Sequence, residues 1–337
     1  MYHVRFQGSH YEMGFKWGDR LLQYGKLLLD NVPFNISEER VDFVRQCRPF
    51  YERWYPEVLE EIRGIAQGQR TEPERLETML LSMYCILPEN KCSCFAFRDG
   101  EHVILARNSD FLPELEKLYM NCIYRPDHGY AFQGNTTAFV EMEDGINDHG
   151  LAIGLTSIYP RCLGYGLNAG MLLRYGLEKC STVREFTEAL RHLPIASAQT
   201  FTSADRTGSV AVIECNARGM EVCYADEKHK KQNFVSAVNS FHLDGMKAWR
   251  TEGVDDWDSE ARYETIRKAF EQGDRAEAIS FAMDVLSGKY GFICQYDRKT
   301  GKDTVWSVVY DVTGGKIYRC EGNPFRRKYR EDRRFCF

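Results

Sequence analysis

The chain has 337 residues, 43% hydrophobic and 28% charged, with a formal net charge of −5. That is an ordinary globular composition, and its slight negative balance gives no global pull toward nucleic acid. No stretch reaches the roughly 18 consecutive apolar residues of a membrane span, and no basic, apolar leader opens the chain.

Twelve cysteines without a secretion signal point to reduced thiols in a cytoplasmic protein. Their spacing is scattered. Cys92 and Cys94 are the only close pair, and no histidine cluster completes a zinc set, so no metal is expected.

Residues 1–90 read mainly as helix. Gly8-Ser9-His10-Tyr11-Glu12-Met13-Gly14 leads into a helical stretch to about Asp30, and 41–68 is a second one. Thr71-Glu72-Pro73-Glu74 is a capping box with proline in the first turn, starting a helix to about Cys85. Pro88-Glu89-Asn90 breaks it and sets a boundary near 88–91.

From Cys92 the period becomes two. Strands are expected at 92–97, 103–108, 119–125, 136–142 and 151–156. Helices follow at 170–179 and, from the capping box Thr182-Val183-Arg184-Glu185, to His192. Strands resume at 199–204, 209–215, 220–224 and 234–238. Capped helices at 259–270 and 274–286 precede closing strands at 292–297, 304–310 and 315–320. Strands, helices, then strands, mostly with hairpin-length links, predict an antiparallel α+β layered fold. The glycine fingerprint of a dinucleotide-binding domain is missing.

The stretch 90–110 carries the chemistry. Asp99-Gly100 is a strong hairpin turn signal. If Arg98 pairs with Glu101, Cys92 lies opposite Arg107 and Asp110 falls just beyond the ladder. A nucleophilic cysteine needs such surroundings, because a nearby cation favours the thiolate. A plain core cysteine beside a solvated Arg–Asp pair is the competing reading of the hairpin.

Cys92-Ser93-Cys94-Phe95-Ala96-Phe97, then Ala106-Arg107-Asn108-Ser109-Asp110, resembles the start of the mature chain in the N-terminal-nucleophile (Ntn) hydrolases. The nearest groups are the choloylglycine hydrolases (bile salt hydrolase, penicillin V acylase) and the acyl-coenzyme A:6-aminopenicillanic acid acyltransferase family. Further segments follow in the family's order: Asn147-Asp148-His149-Gly150-Leu151 with Gly154-Leu155-Thr156, Ser236-Ala237-Val238-Asn239-Ser240, and Ser259-Glu260-Ala261-Arg262-Tyr263. Upstream, Gly8-Ser9 to Gly14 and Tyr55-Pro56-Glu57 look like the propeptide of the acyltransferase branch.

The resemblance implies a four-layer αββα sandwich, with a helical propeptide at 1–91 and a catalytic domain at 92–337. It implies self-cleavage at Lys91–Cys92, after which Cys92 is the nucleophile and its own α-amine the base. Arg107 and Asp110 would orient and polarise the thiol. Asn239 would offer an N–H to the oxyanion, Arg262 would complete the charged frame, and Thr156 stands at a further oxyanion position. Two departures are visible. Thr156 replaces an asparagine or tyrosine, and Lys91 precedes the nucleophile where the penicillin acyltransferase has glycine.

The substrate expected is a small-molecule N-acyl amide, with no cofactor except a coenzyme A thioester as acyl donor in the acyltransferase alternative. Assembly as a propeptide–catalytic chain heterodimer, or as a homo-oligomer, stays open. So does an unprocessed, inactive binding homologue.

Overall fold

A computed structural model describes residues 1–32, 34–86, 91–225 and 233–337. The expected boundary at 88–91 lies outside them except for Lys91.

The chain opens with β1 (Tyr2–Gly8), α1 (His10–Gln23), α2 (Glu38–Trp54), α3 (Pro56–Gln69) and α4 (Pro73–Ser82). Six strands follow: β2 (Lys91–Asp99), β3 (His102–Phe111), β4 (Met120–Pro126), β5 (Phe132–Thr136), β6 (Asp144–Asn147) and β7 (Ala152–Ser157). After α5 (Ala169–Lys179) and α6 (Val183–His192) come β8 (Gln199–Ala204), β9 (Val210–Asn216), β10 (Gly219–Tyr224) and β11 (Phe234–Ala237). The chain closes with α7 (Ser259–Gln272), α8 (Ala278–Leu286), β12 (Asp303–Asp311), β13 (Lys316–Cys320) and β14 (Arg330–Glu331).

Two sheets result. One has the order β1-β4-β5-β6-β7-β8-β9-β10, the other β11-β2-β3-β12-β13-β14. Every pairing is antiparallel except β1 with β4. Strand alternation sorts the side chains between layers. Cys94, Ala96, Val103 and Leu105 of one sheet meet Ile146, Ala152, Ala204 and Val212 of the other in the inter-sheet core. Ile153, Leu155, Phe201 and Ile213 face outward under the helices α1–α6. Phe95, Phe97, Ile104 and Ala106 face α7 and α8. This is the αββα sandwich expected from the sequence.

Several local expectations need correction. The reading of 1–90 as mainly helix misses β1, which forms the edge of the larger sheet, paired with a strand more than a hundred residues away. The stretch 41–68 is two helices, because Pro56 cannot continue the first one. Thr71 does not cap α4. Its N–H closes the end of α3 at Ala66, and Glu72 takes the cap position without a side-chain bond. Neither α7 nor α8 has a side-chain cap. Of the strand expected at 136–142 only Thr136 is in one, ending β5; 137–142 turn, with Val140 at φ +75° and Glu143 Oε1 accepting from Thr137 N. Residues 292–297 are not a strand. Gln295 accepts from the N–H groups of Ile293 and Cys294, which replaces ladder bonds with local ones. The Thr182 cap forms as read, and Ser9 caps α1 with a reciprocal bond to Glu12.

The N-terminal helices sit close on the body. A Cβ added to Gly14 would lie 2.1 Å from Glu61 O, so α1 and α3 touch backbone to backbone. Arg174 of α5, fully buried, donates to Glu61 Oε2 of α3 at 2.6 Å and to Glu178 Oε1 at 3.1 Å. His10 Nε2 and the Tyr55 hydroxyl also meet Glu178. Burial works against charge on Glu178, yet Arg174 and His10 outweigh it and hold its pKa down at about 2. Arg174→Met leaves these carboxylates without a counter-charge. We expect it to cost about 3–5 kcal/mol, measured as a lower midpoint in urea unfolding.

Candidate active site

The site grows from the β2–β3 hairpin. Asp99 pairs with His102, so the loop is Gly100-Glu101. Only Gly100 takes a positive φ, +58°, which suits a turn needing glycine at its first central position. The expected register is therefore displaced by two residues. Cys94, not Cys92, lies opposite Arg107, while Cys92 faces Ser109 and Lys91 faces Asp110. A two-residue shift keeps every side chain on its face. Cys92 and Arg107 therefore still share the inter-sheet face, and the long guanidinium spans the offset.

Arg107 Nη2 donates to Cys92 Sγ at 2.8 Å and to Glu143 Oε2 at 3.1 Å. Its Nη1 donates to Asp144 Oδ2 at 2.9 Å and its Nε to Leu155 O at 2.9 Å. Trp306 Nε1 and the Tyr310 hydroxyl hold Asp144 in place, and Ser109 Oγ donates to Glu143. All of these groups are buried. Burial alone disfavours the guanidinium's charge, but Cys92, Asp144 and Glu143 raise its pKa above the ordinary value. Burial pushes the Cys92 thiol up to about 12, with Arg107 pulling the other way. The thiol as placed needs a base at neutral pH.

Asp110 is on the opposite face of the sheet, away from Arg107. It accepts from Thr304 Oγ1 at 2.5 Å and the Tyr296 hydroxyl at 3.2 Å, and lies 3.8 Å from Arg262 Nη1. Arg262, fully buried on α7, donates through Nη1 to Cys92 O at 2.6 Å and Ser93 Oγ at 2.9 Å. Its Nη2 reaches Asn239 Oδ1 at 2.9 Å. Asn239 Oδ1 also accepts from Cys92 N at 2.9 Å, while Asn239 Nδ2 donates to Ser157 O at 2.7 Å.

Thr156 lies on the inner face of β7, two residues beyond Gly154. A Cβ at Gly154 would meet Cys94 Sγ at 2.6 Å and Arg107 Cδ at 3.3 Å. The Thr156 hydroxyl is buried and has no hydrogen-bond partner among the described residues. The structure thus brings Cys92, Arg107, Asp110, Asn239 and Arg262 into one connected set, with Thr156 beside it. Sequence reasoning missed Glu143 and Asp144. They were a visible signal, an acidic pair directly after an expected strand, but an acidic pair ordinarily reads as solvated surface. Among the described residues no group of three His, Cys, Asp or Glu side chains could hold a metal ion.

Burial raises the Asp110 carboxyl from 3.8 to about 6. The folded state therefore binds this proton more tightly than the unfolded chain does. The stabilisation from that proton is complete below pH 3.8 and is lost as pH rises through about 6. Against Asp110→Asn, the wild type should lose about 3 kcal/mol of relative stability across that window. Thermal midpoints of both proteins at a series of pH values measure it.

Two antiparallel sheets between helical layers, with a buried cysteine at the start of an inner strand, define an Ntn-hydrolase fold. The solved N-acylethanolamine-hydrolyzing acid amidase ortholog of Caenorhabditis elegans has it too. That protein is 17% identical, with a TM-score of 0.50 over 66% of this chain and 93% of that one. The chain belongs to the acyl-coenzyme A:6-aminopenicillanic acid acyl-transferase family, whose model matches residues 97–326. A mutant of the conjugated bile acid hydrolase from Clostridium perfringens is 15% identical, at a TM-score of 0.49 over 68% of this chain and 89% of that one. Penicillin V acylase from Agrobacterium tumefaciens is also 15% identical, at 0.45 over 68% and 82%. A search of curated protein sequences finds no match.

Proposed function

We propose that this protein is a cysteine amidase that cuts itself at Lys91–Cys92. It then cleaves, or transfers, an acyl group at a linear N-acyl amide through a Cys92 thioester. One observation carries this reading. Three buried side chains each address a different atom of Cys92: Arg107 its Sγ, Asn239 its N–H and Arg262 its carbonyl oxygen. A cysteine that only fills space needs none of them.

In the self-cut, Sγ attacks the Lys91 carbonyl carbon. Its proton passes to the Cys92 nitrogen, which leaves as a free α-amine. Water then hydrolyses the thioester, giving a Lys91 carboxylate and restoring the thiol. In turnover the α-amine, with an ordinary pKa near ~7.7–8.0, takes the thiol proton. The substrate carbonyl acylates Sγ, and the departing amine receives that proton. Water or a second amine resolves the thioester. Asn239 Nδ2 has an N–H beyond the one given to Ser157, and Thr156 has a free hydroxyl, so both can serve the oxyanion. Such a preorganised donor is worth roughly 3–4 kcal/mol. All twelve cysteines are free thiols, which suits a cytoplasmic enzyme.

Intact-mass analysis of purified wild-type protein tests the cut. We expect two fragments, one with Cys92 as its first residue. A panel of N-acyl amides, each with and without acyl-coenzyme A and an amine, tests turnover. Amine release without the thioester marks a hydrolase, and new amide formed only with it marks a transferase. A single uncut chain overturns the processing step.

A further inference from the structure

Arg262 occupies an awkward place for a cation. It lies in the first turn of α7, at the helix end that disfavours positive charge. It also spends every donor. Three N–H groups go to Cys92 O, Ser93 Oγ and Asn239 Oδ1. The other two go to backbone carbonyls just ahead of the helix: Nη2 to Asp256 O at 2.7 Å and Nε to Trp257 O at 3.1 Å.

Those carbonyls come from an unusual turn. Trp257 and Asp258 are consecutive non-glycine residues with φ of +55° and +58°. A bulky residue rarely adopts this region, and two in a row are rarer. Asp258 is exposed, sits at the N-cap in left-handed geometry, and makes no side-chain cap. Its side chain therefore explains nothing about its conformation. The turn is instead pinned from outside. Asp255 Oδ1 accepts from Trp257 N, Asp256 Oδ1 from Ser259 N, and Lys302 Nζ lies 2.7 Å from Asp255 Oδ2. Ser259 Oγ in turn accepts from Asn239 N at 3.0 Å.

We infer that the left-handed Trp257–Asp258 turn is a positioning device. It holds the Arg262 charge against Cys92, on its carbonyl oxygen directly and on its nitrogen through the shared acceptor Asn239 Oδ1, and so keeps the Cys92 α-amine in its neutral, basic form. The inference rests on the proposed reaction. Arg262 Nη2 and Cys92 N share one acceptor, Asn239 Oδ1, at 2.9 Å each. A cation held that near disfavours protonation of the amine. The other groups around Cys92 are Arg107, Glu143 and Asp110, with the phenol of Tyr84 and the thiol of Cys94. Arg107 is occupied by Glu143 and Asp144. Among the described residues Arg262 has Asp110 as its one carboxylate partner, at 3.8 Å, and its hydrogen-bond partners are uncharged.

The test compares Asp258→Val with Asp258→Gly in the full-length protein, reading thermal midpoints and kcat/KM against pH. Valine resists a positive φ, so the turn opens and the Arg262 charge withdraws. The acid limb should move up by about one pH unit, a change of the size such a charge produces at this distance. Activity below the limb should fall about tenfold and recover at higher pH. Glycine accepts the geometry, so Asp258→Gly should keep the wild-type limb and raise the midpoint. An unmoved limb in folded Asp258→Val overturns the inference. If the valine variant does not fold, a lowered midpoint or a shifted limb in Asp258→Gly overturns it. Wild-type activity, and its loss in Cys92→Ala, checks the reaction class separately. Only the comparison of each variant with wild type bears on the turn.

Discussion

Cys92→Ala is expected to remove both the self-cut and amide turnover, leaving one intact chain. The loss in kcat should be about 10⁴–10⁶-fold, the range seen when an activated nucleophile is deleted. Nothing else among the described residues of the site can take over. Cys94 shares the inter-sheet face but is a buried core thiol against Gly154, and burial pushes it up to about 12 as well. Ser93 points to the other face and is already engaged by Arg262. The fold should survive, because alanine fits where a small buried thiol stood, and an unchanged circular dichroism spectrum would show it. Residual turnover above one per cent of wild type, with the chain still cut, would move the nucleophile elsewhere.

Arg107→Met is the second large expectation, and it separates stability from chemistry. Arg107 is the buried counter-charge for Glu143 and Asp144. Its loss should cost about 3–5 kcal/mol in urea unfolding, as for other broken buried pairs. It also removes the strongest influence holding the Cys92 thiol down, so activity should fall by more than about a hundredfold. Adding Asp144→Asn to Arg107→Met removes one stranded carboxylate. The double variant should regain part of the stability and none of the activity. Activity returning together with stability would reduce Arg107 to a structural role.

The layers and the site residues differed in how far they could be read from sequence. The runs at 199–204 and 92–97 became β8 and β2, each buried on both faces between the facing sheet and a helical layer. The local polar signal at Thr182 worked because a cap needs only its own helix. Where side chains competed with the backbone, as at Gln295 and Thr136, apolar runs misled. The hairpin was visible but its register was not, since Asp99-Gly100 and Gly100-Glu101 are neighbouring turn choices. The cysteine and arginine stayed legible through that error because it preserved their face. Glu143 and Asp144 were not legible, because their burial depends on a guanidinium far away in sequence.

The parallel pairing of β1 with β4 has a consequence for assembly in time. The first strand of the chain completes a sheet whose other strands come later in sequence. While the chain is whole, docking that strand closes a loop within one molecule. If the proposed cut at Lys91–Cys92 takes place, the same step becomes an encounter between two molecules, and its success depends on their concentration. Cutting is then a one-way commitment. The intact precursor should refold from urea at any dilution, whereas the cut protein should recover only when concentrated.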